Sequence, residues 1–416
     1  MLLEFSCSNH KSIRKKVTLS LVAGSDTTHE ENVKETGGIR VLKSALIYGA
    51  NGSGKSNVIN ALSFVKGVVM NSVTYQPGKG IMQIPHKLEG PAVPSVYQVH
   101  FIAGGTRYVF GFSLKNMLVD EEYLYCFPNG RSTRIYERDT ESFTPGSKYK
   151  NKFNACKDVL RPNRLLLSCA ANFTPIEEIM KVYSFFADEL VIYDSSNQDN
   201  WMNYSLYQIH ENSIMKETVL TFMRGLGMDI KDIKVDIDKK KMELSELPPF
   251  LSDDFKNMLL QRDVDAISAK VVYDKFEIDL MQDESDGVRK LFGLLCPLID
   301  IIINGKVLVC DELENNLHEA VLYGLVRMFM ELNFSKFSQL IFTSHETGIL
   351  SMELFRRDQI WFTELEGGER YTDLYSLSEI KNVRKDDNFS KGYISGKYGA
   401  IPMLNSEFAD YISKKI

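Results

Sequence analysis

Apolar and polar residues change their period several times along the chain. "MLLEFSCSN" and "KKVTLSLVAG" at the start alternate as an opening pair of strands. "SALIYGA" is a short unbroken apolar run, the pattern of a strand covered on both faces, and "KSNVINALSFVKGVVM" straight after it carries apolar residues at helical spacing. From Ser95 to Glu137 the texture is antiparallel: "VYQVHFIAGGTRYVFGFSL" alternates around a Gly-Gly hairpin turn, and "EEYLYCF" and "STRIYER" continue it. Residues 153 to 265 read as mostly helical, with the 3.6 period clearest in "PIEEIMKVYSFFADEL" and "NSIMKETVLTFMRGLGM". Within them "KVDIDKKKMEL" reads as a small hairpin with Lys239–Lys241 as its solvated turn. "AKVVYDKFEIDL" returns to strand character. A helix ("GVRKLFGLLCPLIDIII"), a buried strand ("KVLVCDE"), a helix ("LHEAVLYGLVRMFMEL") and a buried strand ("QLIFTSH") come next, and "DQIWFTEL" and "RYTDLYSL" close with strands. The pattern predicts an α/β fold in three parts: a lobe over residues 1–152 with an antiparallel β-subdomain, a mostly helical insertion over 153–265, and a second lobe over 266–416. Repeats, low-complexity tracts and sustained heptads are absent from the sequence, so no long coiled-coil arm is expected.

Composition narrows the possibilities. Of 416 residues, 44% are hydrophobic, enough for substantial cores, and the net charge of −6 argues against a uniformly basic nucleic-acid coat, though not against a local basic face. The six cysteines, Cys7, Cys126, Cys156, Cys169, Cys296 and Cys310, form no C-x-x-C pair and several sit in apolar runs, the usage of reduced core thiols in a cytoplasmic protein. The opening residues have too short an apolar core for a signal peptide, and "LLCPLIDIIING" is broken by Pro297 and Asp300, so no membrane association is expected.

The glycine-rich link between the first buried strand and its helix carries the chemistry. Gly49-Ala50-Asn51-Gly52-Ser53-Gly54-Lys55-Ser56 matches G-x-x-x-x-G-K-[ST]. Glycines let backbone N–H groups curl round phosphate oxygens without a Cβ in the way, and the next helix, through Asn57, offers its positive end to the same anion. Lys55 is the candidate for the outer phosphates of ATP and Ser56 for Mg²⁺. In "KVLVCDELENNLH" an apolar strand delivers Asp311, a second Mg²⁺ ligand candidate, and then Glu312, placed to polarise an attacking water. "QLIFTSHE" puts His345 just past another buried strand, within reach of a γ-phosphate or the water. "DESDGVRKLFGLL" opens a helix with Ser285 as a candidate N-cap and Gly287 keeping the first turn open. Gln83 in "GIMQIPHKL" is a candidate Mg²⁺ sensor, with a plain loop glutamine as the favoured reading, and an N-K-x-D guanine motif is absent, which favours ATP over GTP.

The order P-loop, "ESDGV", Asp-Glu, histidine resembles that of ABC-type ATPases, and the chain looks like an ABC-type P-loop NTPase head carrying a helical insertion. "ESDGV" is similar to their signature, with Ser285 and Gly287 at the serine and second glycine, while Asp286 and Glu284 depart from it. "ELENNLH" is similar to the D-loop and His345 to the switch histidine. The opening "CSNHKSIRKKVTLSL" resembles SMC and RecF-type heads; His10 stands where an aromatic is usual, and Lys11 is a candidate nucleotide contact. More narrowly, "NHKSI", "YGANGSGKSNVINAL", "CDELENNLH" and the late "NFSKGYISGKYGAIP" resemble the bacterial AAA/ABC-like ATPases of abortive-infection and phage-defence loci, among them the ATPase component of the PARIS system and, more distantly, OLD-family nucleases. The chemistry of the late segment, Gly392 to Pro402, is not legible from its residues. Only about 70 residues lie beyond His345, short of a usual domain of ~100, so no Toprim nuclease is expected. The resemblance implies a homodimer or higher homo-oligomer closing over ATP, with Ser285 meeting the γ-phosphate across the interface, and a regulatory role over a separate effector or toxin protein. An SMC/RecF-like DNA-binding head is the alternative, with DNA as partner, and a transporter ATPase ranks behind both.

Overall fold

The computed structural model describes residues 1–194, 197–241, 263–332, 334–384 and 387–402. They fall into two compact units, one made of Met1–Tyr193, Ile301–Glu314 and Leu325–Ile416, the other of Asp194–Asp300 and Asn315–Gly324.

The first unit holds two large sheets. One has seven antiparallel strands in the order Phe143–Pro145, Thr133–Arg138, Leu118–Phe127, Thr106–Lys115, Ser95–Ala103, Leu2–Ser8, Val17–Ser20. The Gly104-Gly105 pair turns the hairpin that alternation predicts, both residues at positive φ. The other sheet has six strands in the order Leu190–Tyr193, Val307–Cys310, Gln339–Thr343, Ser44–Tyr48, Ile360–Glu366, Tyr371–Ser376. The first five are parallel and the last is antiparallel. Val307–Cys310 and Ser44–Tyr48 are buried along their whole length, which is why they read as apolar runs without alternation.

Helix Lys55–Asn71 is enclosed on more than one side. Val58, Ile59, Ala61, Leu62, Val65, Val68 and Val69 are buried in one cluster with Phe5, Tyr97 and Phe112 of the antiparallel sheet and Ala45, Ile47, Val309 and Ile341 of the parallel one. Each buried Val, Ile or Leu side chain of the helix contributes ~1.5–3 kcal/mol, so the helix is fixed by packing more than by its own propensity. Helix Leu166–Phe173 is held differently. The buried Glu122 carboxylate accepts from the amides of Leu166 (2.6 Å) and Leu167 (2.9 Å), the first-turn donors of that helix, and from Tyr136 Oη (2.8 Å), and it pairs with Arg138 (3.3 Å). The six cysteines are buried, and no disulfide joins any two of them.

In the second unit, helices Gln198–Glu211 and Ser213–Gly225 accompany a three-stranded sheet, Asp232–Lys241, Asp263–Val272, Glu277–Asp279. The stretch read as a small hairpin at "KVDIDKKKMEL" is instead one strand over Asp232–Lys241, paired along all ten positions with Asp263–Val272; its continuation, Met242 to Leu244, lies outside the described residues. Lys239–Lys241 are therefore exposed strand residues and not a turn. Three lysines in a row carry the turn-like signal, but cross-strand pairing overrides local composition. The strand Leu190–Tyr193, which joins the parallel sheet, likewise interrupts the stretch read as mostly helical. Among the described residues no helix is long and apolar enough to cross a membrane.

Candidate nucleotide site

Parallel pairing sets the site. Thr343 lies beside Ile47, and Cys310 beside Phe342, so strands Ser44–Tyr48, Val307–Cys310 and Gln339–Thr343 end together at one sheet edge. The first strand runs into the loop Gly49–Gly54, the second into the pair Asp311-Glu312, and the third into Ser344-His345. Ligand sites in open α/β sheets form beyond the carboxyl ends of the strands for this reason.

The loop opens directly into helix Lys55–Asn71, with Gly54 at its N-cap at φ +108°. A Cβ on Gly54 would fall 2.0 Å from Thr372 Oγ1, so glycine is required there both for its φ and for the approach of the strand Tyr371–Ser376. Thr372 Oγ1 donates to Ser53 O (2.9 Å) and Ser53 Oγ lies 2.6 Å from Thr363 Oγ1, so the loop is pinned to the two strands beside it. Among the described residues the amides of Asn51, Gly52, Gly54, Lys55 and Ser56 donate to no protein acceptor, and the Ser56 hydroxyl has no protein partner. Five unspent N–H groups around a glycine loop at a helix N-terminus fit a phosphate chain.

Lys55 is buried. Its Nζ donates to Gly49 O (2.7 Å) and Ala50 O (3.2 Å) and lies 3.3 Å from His345 Nδ1. Burial pulls its pKa down to about 8, against the opposing pull of the carboxylates of Glu314, Glu312 and Asp311. The ammonium thus stands desolvated among carbonyls in a site built around negative charge.

Asp311 Oδ1 accepts from Thr343 Oγ1 (2.7 Å), and the same hydroxyl oxygen accepts from the Glu312 amide (2.7 Å). Thr343 therefore orients both acids at once. Glu312 is held at φ +50°, uncommon for a residue with a side chain, and its Oε1 lies 3.8 Å from His345 Nε2. The His345 peptide is gripped on both sides: its N–H donates to Glu314 Oε1 (2.5 Å) and its carbonyl accepts from the Tyr48 hydroxyl. Burial raises the Glu314 pKa, and its Oε2 is buried with no hydrogen-bond partner.

The structure thus brings Gly49, Asn51, Gly52, Ser53, Gly54, Lys55, Ser56, Asn57, Asp311, Glu312 and His345 into one unit. The Asn57 side chain donates to Ser12 Oγ (2.6 Å), which ties the helix to the N-terminal turn. Lys11 on that turn donates to Asn60 Oδ1 (2.7 Å), and His10 packs its ring against Phe64 and Tyr97, as an aromatic would. Gln83 spends its side chain on the β-subdomain: Nε2 donates to Ser95 Oγ (3.0 Å) and Leu114 O (3.1 Å), and Oε1 accepts from the Met117 amide (3.1 Å). It is the plain loop glutamine that the sequence favours.

Ser285 and Gly287 belong to the second unit. Ser285 is exposed before helix Asp286–Asn304, and its Oγ lies 3.4 Å from the Val288 amide that would donate to it. A Cβ on Gly287 would fall 2.7 Å from Asn316 O, and Lys290 Nζ donates to Asn315 O (2.7 Å), so this turn and the "ENN" turn pack together. Sequence reasoning does not find Thr343, Glu314 and Tyr48. Their only signal is position, next to the motif residues in "FTSH", "DELE" and "IYGANGSGKS".

The P-loop follows the strand Ser44–Tyr48, the histidine follows the strand beside it and the acid pair follows the next one over, with an antiparallel sheet across the helix, an arrangement of the AAA/ABC-type ATPase domain. The chain belongs to the family described as "AAA domain, putative AbiEii toxin, Type IV TA system", whose model matches residues 44–149 and 223–351, more than half of its length. Among solved structures it is similar to an SMC head bound to the C-winged helix domain of ScpA, with 15% identity over 92% of this chain and 99% of that one and a TM-score of 0.45. It is also similar to the SMC head domain from Thermotoga maritima, with 14% identity, 90% and 98% coverage and a TM-score of 0.40. A third is the Smc head domain with an extended coiled coil bound to the C-terminal domain of ScpA derived from Pyrococcus furiosus, with 12% identity, 91% and 97% coverage and a TM-score of 0.40. No curated protein matches the chain.

Proposed function

We propose that the protein binds and hydrolyses ATP at this sheet edge, as the regulatory ATPase of an anti-phage, abortive-infection module that controls a separate effector. The observation that carries the ATPase reading is the convergence of Lys55, Glu312 and His345, with Lys55 Nζ 3.3 Å from one imidazole nitrogen and Glu312 3.8 Å from the other. The triphosphate lies along the unspent amides of the loop. Lys55 exchanges the Gly49 and Ala50 carbonyls for phosphate oxygens, and its charge is thereby matched. Ser56 and Asp311 would hold Mg²⁺, which supplies charge neutralisation to the phosphates. Glu312 accepts the proton of the attacking water, and His345 hydrogen-bonds the γ-phosphate or that water. Hydrolysis of this kind rests on positioning and electrostatics, for which the doubly held His345 peptide and the Thr343 clamp on the two acids are suited.

Ser285 and the turn around Gly287 contact the γ-phosphate bound by a second copy, so ATP holds two heads together and its hydrolysis releases them. A toxin–antitoxin or defence setting draws support from the family's description as a putative AbiEii toxin of a type IV system; a separate effector controlled by this chain is part of the proposal. The test is phosphate release with ATP and Mg²⁺ by the purified protein, beside a pull-down from the native host with and without ATP. Absence of turnover in the wild type, together with failure to bind ATP, would refute the catalytic reading. Turnover that rises steeply with DNA and falls with salt, with no protein captured, would replace the effector reading by a DNA-binding one.

A further inference from the structure

The late segment "NFSKGYISGKYGAIP" has no part in the chemistry above, yet the fold lays it against the nucleotide loop. Helix Phe389–Ile394 leads into turns at Gly396 (φ +77°), Gly399 (φ +72°) and Ala400 (φ +56°). The Ala400 carbonyl accepts two hydrogen bonds: one from the Ala50 amide inside the P-loop (3.0 Å), the other from the Tyr393 hydroxyl (2.9 Å). The Tyr393 ring stacks on Phe362 (5.8 Å, 3°) and meets Tyr48 edge-on (4.7 Å, 83°). Tyr48 is the last residue of the central strand, and its hydroxyl donates to the His345 carbonyl. One buried tyrosine therefore touches both halves of the site. Its hydroxyl helps fix the carbonyl that orients the first loop peptide, and its ring braces the side chain that holds His345. The segment is shaped for this fit: a Cβ on Gly392 would fall 2.3 Å from the Tyr398 hydroxyl, so the ring of Tyr398 packs where only glycine leaves room.

We propose that Tyr393 is a positioning residue of the ATP site, acting on the P-loop through Ala400 and on His345 through Tyr48. The proposal rests on the reading of Gly49–Ser56 as the triphosphate site. It separates into two routes with different kinetic signatures. Loss of the Tyr393 hydroxyl loosens the loop that binds phosphate, and loss of the Tyr48 hydroxyl loosens the histidine that acts in turnover.

The experiment compares wild type, Tyr393→Phe and Tyr48→Phe, all of which keep their rings, by titration with a fluorescent ATP analogue and by steady-state phosphate release. Removing one neutral hydrogen bond is expected to weaken analogue binding by Tyr393→Phe about five-fold and to raise its KM for ATP similarly, with kcat within about two-fold of wild type. Tyr48→Phe is expected to lower kcat about five-fold or more with analogue affinity unchanged. Urea midpoints of the folded proteins report any general loosening. A purely structural role would lower the midpoints without splitting KM from kcat, and that result, or wild-type values of both constants in both variants, overturns the proposal. A wild type that binds no analogue overturns the triphosphate reading itself.

Discussion

Lys55→Met tests the electrostatics of the site in the absence of nucleotide. The side chain is about as long as lysine and removes only the charge and the N–H donors. In the folded protein Lys55 titrates at about 8 against an ordinary 10.5, chiefly because burial disfavours the ammonium. At about 1.4 kcal/mol per pH unit this gap corresponds to ~3 kcal/mol. The sign comes from proton counting. Between pH 8 and 10.5 the unfolded chain still holds the Lys55 proton while the folded chain releases it, so the unfolded state binds more protons and stability rises with pH across that window. Below pH 8 both states are protonated and the full penalty is present. Urea unfolding of nucleotide-free wild type and Lys55→Met, at intervals from about pH 7 to 10, should therefore give a wild type that gains on the variant by most of ~3 kcal/mol as pH rises. Lys43, which burial also lowers to about 8, titrates identically in both proteins and cancels in the difference. At about pH 7, ATP at 100 times its Kd should stabilise the wild type by ~2.7 kcal/mol and the variant by almost nothing. Parallel pH curves for the two proteins would refute the claim that a desolvated ammonium stands in the nucleotide-free loop.

Three further outcomes are expected. Glu312→Gln should bind ATP with near wild-type affinity and lose a factor of ~10² to 10⁴ in phosphate release, while the closed form accumulates; unchanged turnover removes Glu312 from the role of base. Thr343→Val leaves the Glu312 amide without its acceptor and frees the Asp311 carboxylate, so urea unfolding should show a loss of ~1–3 kcal/mol together with slower hydrolysis; wild-type values of both would show that the clamp orients nothing. Ser285→Arg should bind ATP as a monomer but fail to dimerise with it, read by light scattering under conditions where Glu312→Gln dimerises; an ATP-dependent dimer in the arginine variant defeats the composite-site reading.

The parts of the molecule legible in the sequence are those in which one local pattern decides the outcome. The fully buried strands Ser44–Tyr48 and Val307–Cys310 read as apolar runs, and the Gly104-Gly105 hairpin reads as a turn, because burial on two faces and positive φ each restrict residue choice directly. The P-loop is legible for the same reason, since Gly54 cannot be replaced beside Thr372. Contacts that run through backbone atoms leave no such trace. Thr343 clamps two acids, yet a threonine ending a strand is ordinary; Glu314 grips a peptide N–H, and any residue would supply that N–H. The stretch 234–244 reads as a hairpin, whereas Asp232–Lys241 is one strand, because its partner, Asp263–Val272, lies well beyond it in the chain and pairing with it outweighs the polar composition.

The same contacts leave the loop suited to a phosphate ligand. Without phosphate, Lys55 is buried with two carbonyls and an imidazole for company, Glu314 has an orphaned oxygen beside it, and five loop amides have no protein acceptor among the described residues. Lys55 spends its donors on neutral acceptors and Glu314 keeps one buried oxygen without a partner, while Thr363, Thr372 and Ala400 pin the loop from three sides. On the proposed reading, a phosphate chain brings charge that suits Lys55 and oxygens that suit the amides in a single placement. A loop held in this way would, on that reading, take a phosphate chain with little reordering, and Lys55 would exchange neutral acceptors for charged ones.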